Sequence, residues 1–264
     1  MAPLLTDAQW ARIAPLLPKA RRYPKGGRPR ADDRGCLEGI LWVLRTGARW
    51  GDLPAQYPSP ATCWRRLAEW QRQDVWLTLW RAFLSELDGR GQLDWSEAFL
   101  DATFAPAKKG APAFGLTRKG KGTKLMVLVD GAGLPLGVHL SAANRAEVQL
   151  AEPTLAQVAV PRGGPGRPKQ KPARLIADRG YDSHGLWQRL GHRGIDLIAP
   201  HLSTRQHHFQ EGRKLRRYRR RWIIERTISW LLSFRRLTVR YEHRLEHYHA
   251  FVLLACIVIT LRRF

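Results

Sequence analysis

Between residues 7 and 90 the apolar positions recur at intervals of three and four, the period of a helix with one buried face. Thr6 and Gln9 form a capping-box pattern, and Trp10, Ile13, Leu16 and Leu17 follow at helical spacing until Pro18 stops the helix. A second helix is predicted from Asp33 to Leu44, with Leu37, Ile40, Leu41 and Leu44 on one face. A third begins at Ser59 or Pro60, turning Trp64, Leu67 and Trp70 inward and Arg65, Arg66 and Arg72 elsewhere; a fourth carries Trp76, Leu79, Trp80 and Phe83. Tryptophans at these spacings suit a small helical core better than a cofactor or base-stacking platform. The third helix follows a turn and carries arginines, which leaves two readings open: plain helical packing, or a helix-turn-helix reader with Arg65 and Arg66 as its base contacts.

From residue 95 the period changes. Ala98 to Thr103 reads as a strand, and Phe104 to Lys124, basic, without an acid and rich in Gly and Pro, reads as a loop or irregular hairpin. Leu125–Val129 and Leu134–Leu140 are apolar strands joined by the turn Asp130-Gly131-Ala132-Gly133. A helix from Glu147 to Val158 precedes a flexible basic loop at 161–174. Then come a strand at Arg174–Ala177, a helix from Ser183 to Leu190, a strand at Asp196–Ile198 and a long helix from Leu215 to Phe234. A meander followed by alternating helices and strands predicts an α+β or mixed α/β fold. Two domains are expected, a helical one at 1–94 and a catalytic one at 95–264 with basic loops at 104–124 and 161–174.

Charge sharpens this picture. The 264 residues carry a formal net charge of +23, most of it after residue 95. A compact body with that surplus repels itself unless a polyanion neutralises it, so nucleic acid is the first partner to consider and an acidic membrane surface the second. Three cysteines, at 36, 63 and 256, lie far apart in sequence, which excludes a zinc ribbon or a disulfide framework and fits a reducing cytoplasm. The apolar run Ala250–Leu261 is too short to span a bilayer and reads as a buried helix. No secretory signal opens the chain, so a bacterial cytoplasmic, nucleoid-associated location is expected.

Acids are scarce in the second part, and three stand where chemistry can use them. Asp101 sits toward the end of the first strand, Asp178 directly follows the strand Arg174–Ala177, and Glu225 lies within the long basic helix. Carboxylates at neighbouring strand ends, joined by a third from a crossing helix, can hold two divalent cations against a phosphodiester. The stretches Asp101-Ala-Thr-Phe, Ala177-Asp178-Arg-Gly-Tyr181-Asp182-Ser and Tyr218-Arg-Arg-Arg221-Trp-Ile-Ile-Glu225-Arg resemble the three acidic motifs of the DDE transposases of bacterial insertion sequences. The run Trp222–Leu237 and the helical residues 4–87 resemble the insertion-sequence-five branch.

This resemblance implies an RNase H-like catalytic domain behind a small helical one. It implies a triad of Asp101, Asp178 and Glu225 holding two Mg²⁺ ions, for which Mn²⁺ can substitute. It further implies cleavage of double-stranded DNA at element ends and transfer of the freed 3′-hydroxyl into target DNA, by a homodimer or higher oligomer and without a membrane partner. The DNA contacts expected are Tyr218, Arg221, Arg217, Arg219, Arg220, Lys119 and Lys121, together with Arg65 and Arg66. The sequence departs from the wider family signature where basic residues are expected seven and fourteen positions after the Glu: Leu232 and Val239 stand there, with Arg235, Arg236 and Arg240 nearby.

Bland readings exist for each acid: a strand-end turn for Asp101, an Arg-Gly turn for Asp178 and a helical ion pair with Arg221 for Glu225. Asp182 reads as an N-cap and Asp130 as a turn residue. Gly115–Gly122 only approximates a phosphate-binding loop, because Gly122 replaces the metal-binding hydroxyl and a strand follows. His243, Glu246, His247 and His249 read as solvated helix residues or phosphate contacts and not as a zinc site. Two rival functions remain: a non-catalytic DNA-binding regulator descended from such an enzyme, and a metal nuclease without strand transfer.

Overall fold

The computed structural model describes residues 4–19, 29–108, 112–204 and 212–264. Four helices open the chain: α1 (Asp7–Ile13), α2 (Asp33–Thr46), α3 (Pro60–Arg72) and α4 (Val75–Gly89). Their ends follow the local chemistry. Thr6 and Gln9 close a reciprocal capping box on α1, Asp32 accepts from Gly35 N–H at the start of α2, and Gly47 ends α2 in the left-handed conformation. Ser59 caps α3, with Pro60 at its first position.

The strands β1 (Ala98–Pro106), β2 (Gly115–Thr117), β3 (Gly120–Asp130), β4 (Pro135–Ala142), β5 (Arg174–Ile176) and β6 (Asp196–Ile198) form one mixed sheet. Its order is β2-β3-β1-β5-β6, with β4 also paired to β3. The meander β1, β3, β4 is antiparallel, whereas β1 pairs in parallel with β5 and β5 with β6. Residues 98–100 and 125–130 are buried without alternation, as expected for central strands covered on both faces.

Helices α5 (Glu147–Leu155), α6 (His184–His192), α7 (Trp222–Leu232), α8 (Arg235–Thr238) and α9 (Leu245–Leu261) complete the fold. The apolar run Ala250–Leu261 forms most of α9, which is buried almost all round and packs on α2, α3, α4, α7, α8 and β4. The apolar core therefore runs without a break from Leu5 to Leu261. Among the described residues no helix is long and apolar enough to cross a membrane.

Several expectations need correction. The segment 104–124 takes the hairpin alternative and not the loop, because β1 extends to Pro106 and β2 and β3 make a hairpin within it; residues 109–111 lie outside the described set. The loop at 161–174 is pinned: Lys169 pairs with Val160 through the backbone and its Nζ lies 2.8 Å from Asp88 Oδ1. The helix expected over Leu215–Phe234 is two pieces, a 3-10 turn at Lys214–Arg221 and then α7. Cys36 and Cys63, distant in sequence, meet between α2 and α3, where each thiol perturbs the other, and all three cysteines are free and buried.

Side chains depart from expectation in the same way. Trp64 points outward at 41% exposure, while Arg66 is 5% exposed and ion-paired with Asp33 and Glu69. Asp182 does not cap α6; Ser183 does, and the Asp182 carboxylate accepts from Leu202 N–H at 2.7 Å and pairs with His201 Nδ1 at 3.1 Å. His247 is buried, its ring edge-on to Trp64, and is not a solvated helix histidine.

Candidate active site

The parallel register matches Ala98 with Leu175 and Phe99 with Ile176, so its continuation brings Asp101 level with Asp178 at the ends of adjacent strands. Asp178 also makes the turn expected of it, accepting from Gly180 N–H at 2.8 Å. Glu225 enters from α7, which is fixed against the β3–β4 turn by two hydrogen bonds and stiffened by a stack along its own face. Thr227 Oγ1 donates to Gly133 O (2.8 Å), Arg226 donates to Ala132 O (2.9 Å), and the Arg226 guanidinium lies between the Trp222 and Trp230 rings. The turn is set by Asp130, whose carboxylate accepts from the backbone N–H groups of Asp94, Ala132 and Leu134.

One guanidinium joins the three acids. Arg221 lies 3.2 Å from Asp101 Oδ2, 3.7 Å from Asp178 Oδ2 and 3.0 Å from Glu225 Oε1. Burial pushes the Asp101 carboxyl above the ordinary aspartate value, opposed by the Ala102 N–H and by Arg221. Burial also works against the Arg221 charge, but Asp101 and Glu225 outweigh it and hold the guanidinium protonated. Among the described residues no three His, Cys, Asp or Glu side chains stand close enough together to hold an ion as they are. The acids converge on a cation that the protein itself supplies.

Residues that sequence reasoning passed over surround this centre. Glu147, read only as a helix start, accepts from the buried Tyr181 hydroxyl at 3.4 Å and pairs with Lys124 Nζ at 3.3 Å, and its charge reaches Asp101. Burial drives the Tyr181 hydroxyl pKa up, reinforced by Glu147, Asp101 and Asp178, so it stays a neutral donor. Tyr181 stood inside the Asp178-Arg-Gly-Tyr motif, a signal that could have found it. Glu97, fully buried before β1, had no such signal.

The expected DNA contacts divide. Lys119, Lys121 and Arg219 are exposed, and Tyr218 is partly buried beside Arg221. Arg217 and Arg220 both pair with Glu97, and Arg220 also donates to Gly131 O, so their role in this structure is to fix the 3-10 turn to the sheet. Arg66 is likewise structural. Of the basic residues near the missing signature positions, Arg236 and Arg240 are buried. Arg236 pairs with Glu242 at 2.7 Å, and Arg240 bonds Thr123 Oγ1 and three backbone carbonyls. They brace the fold and are closed to DNA.

Comparison with known proteins agrees with this arrangement. Residues 96–261 match the family model described as "Transposase DDE domain", and residues 5–80 match "Putative transposase of IS4/5 family". The chain belongs to the DDE transposase family, of the IS4/5 type. It is thus an enzyme that acts on DNA, and membership implies dependence on a divalent metal.

Two relatives come from Burkholderia cepacia. The insertion element IS402 uncharacterized 16.2 kDa protein is 42% identical over 119 residues, 44% of this chain and 81% of that one. The "Putative transposase for insertion sequence element IS402" is 38% identical over 145 residues, 54% of this chain and 65% of that one. The piggyBac transposase, solved in a synaptic complex with hairpin DNA, superposes with a TM-score of 0.53 at 9% identity, covering 94% of this chain and 68% of that one. That likeness shows a shared RNase H-like fold.

Proposed function

We propose that the chain cleaves double-stranded DNA at the ends of its own mobile element and joins the freed 3′-hydroxyl to target DNA, using Asp101, Asp178 and Glu225 as metal ligands. The observation that carries this reading is the Arg221 guanidinium shared by three carboxylates from two strand ends and a crossing helix. Such a cluster demands positive charge at its centre. Its donors are all carboxylate oxygens, the hard set that Mg²⁺ prefers, so the residues fit a pair of Mg²⁺ ions, with Mn²⁺ able to replace them. When bound, the ions would supply Lewis acidity, lowering the pKa of the attacking water or hydroxyl and stabilising the leaving oxygen.

The chain's own residues do the rest. Arg221 neutralises the acids in the free protein, and once that charge is balanced otherwise its guanidinium can turn to a phosphate of the bound strand. Tyr218, against Arg221, offers a ring and hydroxyl beside the same strand. Arg219, Lys119 and Lys121 contribute exposed positive charge for the duplex backbone. The helical residues 1–94 recognise the element ends and residues 95–264 carry out the chemistry, in a homodimer or higher assembly on DNA. The setting is the bacterial cytoplasm, on the nucleoid.

Labelled element-end duplexes with Mg²⁺ test this. Asp101→Asn, Asp178→Asn and Glu225→Gln each abolish nicking and joining while end binding stays within a few-fold. Substantial nicking by Asp178→Asn overturns the triad, and nicking by wild type without any joining reduces the protein to a nuclease.

A further inference from the structure

Away from the triad, a groove of about 560 Å³ runs between the outer face of α3 and the start of α9. One wall is a helical row, Trp64, Arg65, Ala68 and Arg72, and the other holds Arg244, Glu246 and His247. On the far side of Trp64 the surface continues into a second depression, of about 340 Å³, lined by Trp50, Pro60, Ala61, Trp64 and Arg65. Trp64 thus stands between two hollows, half-exposed, its ring held edge-on to His247 at 5.2 Å.

The charges in this groove are unevenly spent. Glu69 is occupied by Arg30 and Arg66, and Glu246 by Arg244. Arg65 and Arg72 form no ion pair among the described residues, and Arg244 is mostly exposed. Arg66, one position and about 100° round the helix from Arg65, is buried and ties α3 to α2 through Asp33 and the Ala31 carbonyl. The arginine row is therefore mounted on an anchored helix, with Arg65 and Arg72 about 10 Å apart along its axis.

We propose that this groove is a docking site for the backbone of duplex DNA, with Arg65, Arg72 and Arg244 on phosphates and the Trp64 indole against the sugar or an exposed base edge. The inference rests on the reading of the chain as a DNA-end-binding enzyme and extends it. End binding would then use both halves of the chain, α3 from the first and the segment at 244–247 from the second. Charge selects the occupant: a second copy of a chain of net charge +23 would bring like charge into an arginine groove, whereas a duplex brings the opposite.

The experiment measures the affinity of the full chain for a short fluorescein-labelled duplex by anisotropy across a range of salt. Arg65→Ala, Arg72→Ala and Arg244→Ala each lower the slope of log K against log salt by about 0.9, the value for one lost phosphate contact. Trp64→Ala weakens binding about tenfold at fixed salt with the slope unchanged, and Trp64→Phe restores most of it. Arg90→Ala, at the C-cap of α4, serves as the control with no effect, and circular dichroism verifies that every variant is folded. Slopes of the three arginine variants equal to that of Arg90→Ala overturn the groove while leaving DNA binding intact. A change in sedimentation mass without DNA, with unchanged slopes, makes the face a contact between copies and overturns it equally. A flat salt response in the wild type refutes the DNA-binding reading itself.

Discussion

Gly133 shows how much of the site depends on one residue without a side chain. It sits at φ +90° in the β3–β4 turn, and a Cβ there would meet Arg226 at 2.7 Å, Ile223 at 3.1 Å and Thr227 at 3.2 Å. Those three residues seat α7, and Glu225 rides on the same helix. Gly133→Ala combines the left-handed backbone penalty of about 1–2 kcal/mol with displacement of α7. The expected result is a midpoint shift in urea unfolding together with loss of nicking beyond what the lost stability explains. Full activity at a temperature where the variant remains folded would show that Glu225 does not depend on this seat.

At the scale of elements, α8 and the segment after it join the C-terminal helices to the first half. Arg236 pairs with Glu242 while both are nearly out of solvent, and it also donates to the carbonyls of Gly47 and Ala48 just past the end of α2. Burial pushes the Glu242 carboxyl up, and Arg236 pulls it back toward the charged form. Removing one partner leaves a buried charge uncompensated, so Arg236→Ala is expected to destabilise by about 3–5 kcal/mol. The double variant Arg236→Met/Glu242→Leu is expected to recover much of that loss. Chemical denaturation of the three proteins tests this, and a single variant as stable as wild type would remove the pair from the list of braces.

Taken whole, the molecule carries its charge on a body whose apolar core crosses the boundary at residue 94. Helix α9, more than 150 residues beyond that point, packs on α2, α3 and α4 of the first half. A fragment of residues 95–264 would expose the face of α9 that α2, α3 and α4 cover. Such a fragment is expected to aggregate when expressed alone and to become soluble when residues 1–94 are supplied in trans. Gel filtration and circular dichroism decide this. A monodisperse, folded fragment would show that the two halves are independent despite their shared core.

The helices and central strands were legible in the sequence because their signals are local. Thr6–Gln9 and Ser59–Pro60 set helix starts by hydrogen bonds within one turn, Asp130–Gly133 sets a hairpin, and Asp196–Ile198 is a strand at the residues predicted. The three acids stood out because few acids stand at strand ends and their motifs resemble a known family, and the fold gathers them round Arg221. Partnership was not legible, since it depends on which side chains from distant elements meet. Arg65 and Arg66 are adjacent in sequence, yet one lies in a surface groove and the other inside an ion-pair cluster with Asp33. Arg217 and Arg220 pair with Glu97, some 120 residues earlier, a partner that nothing in the basic run announces. Local periodicity fixes which elements form, whereas the balance between desolvation and pairing that decides each charged residue's role exists only once the sheet and α9 have brought distant residues together.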